Sequence, residues 1–319
     1  MLKLGLIGAG YLGKIHLGLL TQMNNVHFMG FFDTNAENVA LLNQQYGTPP
    51  FADASSLINV CDALVVAAPT QAHHGYAQQC LQAGKHVFME KPVTATIDEA
   101  QALLPLVQQT GLHLQIGMVE RFNPAFTAAK PHLKGIQHIS CTRLAPFTPR
   151  GADVSVVFDV MIHDIDIVLS LVNLPIQEIK ASGQKLVSDT YDVANAVVHF
   201  EHGLTAHFTA SSMAERKYRL MDITSPDGIY RVDFLDRKLT RHTTRTGSST
   251  SLAEAYLQND PELMESNMIE VQELNAIGEE LKSFVDCIGN NKKVVVSLDD
   301  GIRAMQLAKE IEVQMDHQS

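Results

Sequence analysis

The sequence predicts an α/β protein with two domains. An N-terminal domain wound on a parallel sheet spans 1–120, and a C-terminal α/β domain with a mostly antiparallel sheet spans 121–319. Three observations predict this. A chain of 319 residues exceeds the prior of about 150 residues per domain. Strand and helix patterns alternate up to Gly117, which argues for a parallel sheet with right-handed crossovers. From Ile176 to Thr243 strand-like segments follow one another without helices, which argues for antiparallel pairing.

The first strand is the apolar run Leu4–Ile7, followed by a turn with Gly8, Gly10 and Gly13 and a helical pattern carrying Leu12, Ile15, Leu19 and Leu20. Strand, glycine turn and helix in that order suit a dinucleotide pyrophosphate, as in a Rossmann domain. Gly8 permits the tight turn, Gly10 lets phosphate oxygens reach the backbone, and Gly13 lets the helix close on the strand. The helix N-terminus then offers N–H groups and a positive dipole end. A second run, Val26–Phe32, ends in Asp33, where an acid accepts hydrogen bonds from ribose hydroxyls and repels a 2′-phosphate. The expected cofactor is therefore NAD rather than NADP. An ordinary βαβ corner with a capping Asp33 is the competing explanation, and the context outweighs it.

A helix from about Asn35 ends near Tyr46-Gly47. Asp62–Ala68 is a buried strand broken by Pro69-Thr70, after which a helix runs to Ala83-Gly84. His86–Met89 is a strand leading into Glu90-Lys91-Pro92, then come a helix over Ile97–Gln109 and a strand over Leu112–Gly117. Ligands on such sheets bind beyond the carboxyl ends of the strands, where Gly8–Gly13, Asp33, Pro69–His73 and Glu90–Pro92 all fall. Past Glu120, Asn123–His132 reads as helix, Ile136–Leu144 as strand and Val156–Val172 as helix. Arg245–Ser251 reads as an exposed loop, and Asp260-Pro261 as the start of a long helix to about Gly289. Ser297 or Asp299 opens a final helix.

Bulk properties narrow the function. The net charge of −11 and the lack of a Lys/Arg block argue against nucleic acid as a partner. No apolar stretch reaches membrane-spanning length, and the N-terminus enters a strand without a basic leader. Cys61, Cys80, Cys141 and Cys287 lack metal or redox spacing, which fits reduced thiols in a cytoplasmic protein.

Two constellations carry the chemistry. Lys91 is held extended by the proline that follows it, and its ammonium could stabilise an alkoxide formed as hydride leaves carbon. A loop lysine paired with Glu90 explains the spacing equally well. Asp159 and His163 stand four apart, so on a helix they share a face, and Asp166 lies three beyond. Imidazole can take a hydroxyl proton, with Asp159 orienting it or holding another hydroxyl. A buried His-Asp pair that braces the helix is the structural alternative. No third ligand has convincing spacing, so no metal is expected.

These pieces resemble the Gfo/Idh/MocA family of nicotinamide-dependent sugar and cyclitol dehydrogenases. Gly8-Ala9-Gly10-Tyr11-Leu12-Gly13 with His16 resembles the family's opening motif, and Pro69-Thr70-Gln71-Ala72-His73 its segment after the fourth strand. Gly84–Pro92, with Glu90-Lys91-Pro92, is similar to its most specific signature, and Asp159–Asp164 to its catalytic helix. The resemblance implies Lys91 and His163 as catalytic residues with Asp159 as acidic partner. It implies cofactor contacts from Gly8, Gly10, Tyr11, Leu12, Gly13, Asp33, Pro69, Thr70, His73, Glu90 and Lys91. It also implies a large open sheet whose outer face joins subunits into a homodimer or homotetramer. Val119–Phe126 and Val157–Asp166 resemble a subgroup acting on UDP-N-acetylhexosamines, which implies oxidation of a sugar 3-hydroxyl. Its substrate contacts would be Lys91, Arg121, Asn123, Arg150, Asp159 and His163. Arg121, Arg143 and Arg150 are the candidate cations for a diphosphate, with Arg216–Arg219 as a weaker cluster. Where the family carries a glycine-rich run before the catalytic helix, this chain has Arg150–Val157 instead. Two other functions fit the same motifs: an NAD-retaining glycosidase of the family, and a non-catalytic NAD-binding regulatory protein.

Overall fold

The computed structural model describes residues 1–149, 153–245, 250, 252–258 and 261–317. The chain divides into two compact units, Met1–Val119 with Ile277–Met305, and Glu120–Ala276 with Gln306–Ser319.

The first unit holds a five-stranded sheet, with β1 (Leu2–Ile7), β2 (Val26–Phe32), β3 (Ala63–Val66), β4 (His86–Glu90) and β5 (Leu114–Gly117). Its order is β2-β1-β3-β4-β5, and every pair is parallel. The strand order reverses between β1 and β3, so the crevice beyond their carboxyl ends is where such a sheet takes its ligand. All four residues of β3 are buried, as a strand covered on both faces requires. The helices are α1 (Tyr11–Leu20), α2 (Ala36–Tyr46), α3 (Ala54–Val60), α4 (Thr70–Gln82) and α5 (Ile97–Thr110). Asn35 caps α2 by accepting from the Asn38 amide, and Gly47 ends it in the left-handed region at φ 61°. Thr96 and Glu99 form a capping box on α5. Periodicity does not expose α3, because its seven residues are too few to show a helical repeat and bury only Ala54, Leu57 and Ile58 behind an Asp53 cap.

The second unit opens with the 3₁₀ turn that includes Glu120–Phe122, followed by α6 (Pro124–Ala129) and β6 (His138–Leu144). The expected helix Val156–Val172 is two pieces, a π-helical turn at Val157–Met161 and then α7 (Ile162–Leu171). The Ile162 amide donates to the Val157 carbonyl, five residues back, where an α-helix would reach four. Then come β7 (Ile176–Gln184), β8 (Val193–Phe200), β9 (Thr205–Ser211), β10 (Tyr218–Ser225), β11 (Gly228–Asp233), β12 (Lys238–Thr244), α8 (Leu252–Gln258) and β13 (Met264–Ile269). The eight strands are ordered β13-β12-β11-β10-β6-β9-β8-β7. The β6–β9 pair is parallel, and the other pairs are antiparallel. Burial alternates along β6, β8 and β9, so one face of the sheet is more deeply buried than the other.

The expected long helix from Asp260 is absent. Asp260 and most of the Arg245–Ser251 loop lie outside the described residues, but Met264–Ile269 pairs with β12 as an edge strand. Backbone pairing there overrides the helical preference of a Met- and Glu-containing segment. The helix α9 begins later (Ala276–Gly289). It returns to the first unit, and so the second does not run unbroken from 121 to 319. Leu281, Phe284 and Val285 of α9 join Leu4, Leu6, Phe31, Val65 and Phe88 in one buried cluster. The last helix, α10 (Leu298–Asp316), is opened by Ser297 and Asp300, each of which accepts the other's amide.

Candidate active site

In the first unit the predicted stretches converge on the carboxyl rim of the sheet. Gly8 turns the chain at φ +88°, and a Cβ there would stand 2.5 Å from the Ala68 amide nitrogen. A Cβ on Gly13 would collide with the Gly8 carbonyl oxygen. These two glycines are therefore needed for packing. Gly10 differs, because a Cβ there would meet nothing within 4 Å. It opens α1 with no side-chain cap, so the first-turn amides face a cradle without side chains. Tyr11 is exposed and Leu12 half-buried on that first turn.

Asp33 sits at the end of β2, half-buried, and accepts from the Ala9 amide at 2.6 Å and the Asn35 amide at 2.8 Å. Its carboxylate is thus fixed against the glycine turn. The rim's donors, its open cradle and this acceptor fit a dinucleotide such as NAD.

Pro69 and Thr70 start α4 beside this turn. His73, one turn in, is buried with Nε2 2.8 Å from the Ala68 carbonyl oxygen and Nδ1 2.9 Å from the Pro92 carbonyl oxygen. It ties the loop after β3 to the loop carrying Lys91. Glu90 is engaged from the other side, with His16 Nε2 at 2.6 Å from one carboxylate oxygen and the Lys91 amide donating to the other at 3.3 Å. Lys91 itself is half-buried on this rim.

Sequence reasoning missed the His16–Glu90 contact. The buried positions of α1 are Gly13, His16, Leu17 and Leu20; of the expected stripe of Leu12, Ile15, Leu19 and Leu20 only Leu20 is among them, and the face is turned toward His16. The close approach of Gly13 to Gly8 sets this rotation. Counting i+3 from Gly13 would have turned His16 inward.

In the second unit, Asp159 lies in the π turn and His163 one residue into α7. The π turn carries an extra residue per hydrogen-bonded ring, so the four-residue spacing does not place the pair as an α-helix would. Such turns are common at functional sites. Asp159 is exposed and lines a cavity of about 70 Å³ with Phe147, Val156, Val160, Ser188 and Tyr191. His163 is half-buried, and the residues that follow it through Leu169 are buried.

The expected phosphate cations are placed elsewhere. Arg121 is buried and forks onto Asp166, with Nε 2.6 Å and Nη2 2.7 Å from the two carboxylate oxygens. Arg143 is buried too, with Nη2 2.7 Å from Asp164 and Nη1 2.6 Å from Glu120. Burial opposes its charge, but Asp164 and Glu120 outweigh it and hold the guanidinium above its ordinary pKa. Asn123 is buried and donates to Glu120 and to the Phe234 carbonyl. Arg121, Arg143 and Asn123 are thus each buried with partners inside the unit. Arg150 lies outside the described residues. Arg216 and Lys217 are exposed, with the Arg216 guanidinium over the Tyr218 ring. Among the described residues no group of three His, Cys, Asp or Glu is arranged to hold a metal ion, and no helix is long and apolar enough to cross a membrane.

A parallel sheet with an open glycine cradle at its switch point and an acid at the end of the neighbouring edge strand fits a dinucleotide-binding domain, and comparisons with known proteins agree. The oxidoreductase family with an NAD-binding Rossmann fold matches residues 2–118, and the GFO/IDH/MocA C-terminal domain matches residues 135–231. The chain belongs to the Gfo/Idh/MocA family of NAD(P)-dependent oxidoreductases acting on CH–OH groups. It is 29% identical to a UDP-N-acetylglucosamine 3-dehydrogenase from Acidithiobacillus ferrooxidans, over 99% of this chain and 97% of that protein. A solved structure of that dehydrogenase superposes with a TM-score of 0.91 at 28% identity, covering 99% of this chain and 98% of the other. A scyllo-inositol dehydrogenase from Lactobacillus casei, with bound NAD(H) and scyllo-inositol, shares the fold at a TM-score of 0.80 and 20% identity, covering 100% and 98%.

Proposed function

We propose that this protein is an NAD-dependent dehydrogenase that oxidises the 3-hydroxyl of a UDP-N-acetylhexosamine to a ketone. The full-length similarity to a UDP-N-acetylglucosamine 3-dehydrogenase supports the substrate. The chemistry rests on one observation: the cradle at Gly10, the Asp33 acceptor and Lys91 share one sheet rim.

Bound NAD supplies the hydride acceptor. Gly8, Gly10 and Gly13 with the first turn of α1 would hold its pyrophosphate, and Pro69, Thr70 and His73 would shape the neighbouring wall. Asp33, an acceptor-only carboxylate, takes ribose hydroxyls and disfavours a 2′-phosphate. The Lys91 ammonium stabilises the substrate oxygen as charge develops on it, while Glu90 is held aside by His16. His163 takes the hydroxyl proton, with Asp159 as its acidic partner. With NAD bound, the C–H hydride would pass to it as the two-electron acceptor, while His163 takes the hydroxyl proton. We further propose that the sheet's outer face joins copies of the chain into a dimer or tetramer.

The test is to incubate purified protein with NAD and a panel of UDP-sugars and to follow reduced nicotinamide by absorbance. UDP-N-acetylglucosamine should give net NADH, and Lys91→Met should lower kcat about 10²- to 10³-fold. Unchanged turnover in Lys91→Met would overturn the assignment. A product without net NADH would favour an enzyme that recycles its cofactor.

A further inference from the structure

The helix that carries His163 is gripped by charge. Asp164 and Asp166, one and three residues beyond it, are 2% and 1% exposed. Arg143 comes to Asp164 from β6, and Arg121 comes to Asp166 from the 3₁₀ turn. Both are forks: Arg121 places two N–H groups on the two oxygens of Asp166, and Arg143 does so on Asp164 at 2.7–3.1 Å. Arg143 also reaches Glu120, which takes a further bond from Arg219. Arg121, Arg143 and Arg219 thus face Glu120, Asp164 and Asp166, with the Lys130 ammonium also near Arg121 and Asp166.

Buried ion pairs are weak sources of stability, because desolvation offsets their attraction. Bidentate Arg–carboxylate pairs do fix orientation, since two parallel bonds leave no rotation about either. Two such pairs fall within three residues of His163, and they close just after the π turn that ends at Met161. There the helix has changed its hydrogen-bond register, and nothing in α-helical geometry alone sets the azimuth of the next side chain.

We propose that Arg121 and Arg143 are positioning residues for His163, holding the first turn of α7 so that the imidazole keeps one orientation. The inference rests on the reading of His163 as the proton acceptor. Lysine at either position keeps the charge but cannot fork.

The experiment uses the full chain labelled with ¹³C,¹⁵N-histidine, the His163 ring signals being assigned by their loss in His163→Asn. Arg121→Lys, Arg143→Lys and Asp166→Asn are compared with Arg231→Lys, which alters an exposed fork onto Asp222. The His163 ring signals should move in the first three and not in Arg231→Lys. Turnover of UDP-N-acetylglucosamine with NAD should fall about 10- to 100-fold in kcat with KM little changed. Signals that superimpose on the wild type's while the thermal midpoint drops would overturn the proposal, since the arginines would then only hold the unit together. Should either lysine variant fail to fold, Asp166→Asn decides, because it keeps the volume while replacing one acceptor oxygen of the fork with a donor NH2. If the wild type turns over no UDP-sugar, the functional reading fails, and the ring signals still decide the positioning.

Discussion

The cofactor rim of the first unit and the His163 helix of the second are held by different means. On the rim, Gly8 and Gly13 remove side chains so that main chain meets main chain, and Gly10 leaves open space. Asp33 and His73 bond to backbone groups of Ala9, Asn35, Ala68 and Pro92. On the helix, the bonds run between ionised side chains: Arg121 with Asp166, and Arg143 with Asp164 and Glu120. Both sites join residues far apart in sequence, 24 residues for Asp33 with Ala9 and 45 for Arg121 with Asp166, but most rim bonds end on main-chain groups and the helix bonds named here end on side chains.

Substitutions can break that contrast. The largest effect is expected for Arg143→Met, which strands buried Asp164 and leaves Glu120 only Asn123 and Arg219. It should cost about 3–5 kcal/mol of stability in denaturant unfolding. NAD affinity, measured by titration on protein that remains folded, should hold.

Asp192 tests a mixed case, a carboxylate of the second unit held by amides. Burial pushes its pKa up, but the amides of Val187, Ser188 and Leu186 with the Ser188 hydroxyl outweigh it and hold it at about 2. A folded pKa below the unfolded one contributes stability that is full above about pH 4 and lost as pH falls toward 2. Asp192→Ala should therefore destabilise by about 2 kcal/mol at neutral pH and flatten the acid limb of the stability profile.

The smallest effect probes the rim. Asp33→Ser should weaken NAD about tenfold, or about 1.4 kcal/mol, and narrow the gap to NADP, as read by cofactor titration. An unchanged preference would show that discrimination lies elsewhere on the rim.

The same contrast explains what is legible in the chain and what is not. Glycines at fixed spacing, an acid after a strand and Glu90-Lys91-Pro92 are local signals, so the parallel sheet and its rim can be read directly. The fates of Arg121 and Arg143 cannot, because a lone arginine looks like a ligand for phosphate until its partners are known. A signal does exist. Ile139, Cys141 and Arg143 alternate on the buried face of β6, and Asp164 and Asp166 lie in a stretch that is otherwise apolar. A buried charge in such a pattern demands a partner. The π turn leaves no mark that periodicity could detect, since one added residue looks like noise in a short window. The edge strand Met264–Ile269 is hidden because its pairing with β12 is a tertiary fact.

The return of residues 277–305 to the first unit has a practical consequence. The chain passes between the units at three points, so neither is a continuous piece of sequence. A fragment ending at Val119 would lack Leu281, Phe284 and Val285, and would leave the apolar surface they cover open to water. Exchanging the second unit for a relative's, to change the sugar accepted, therefore takes three splice points rather than one.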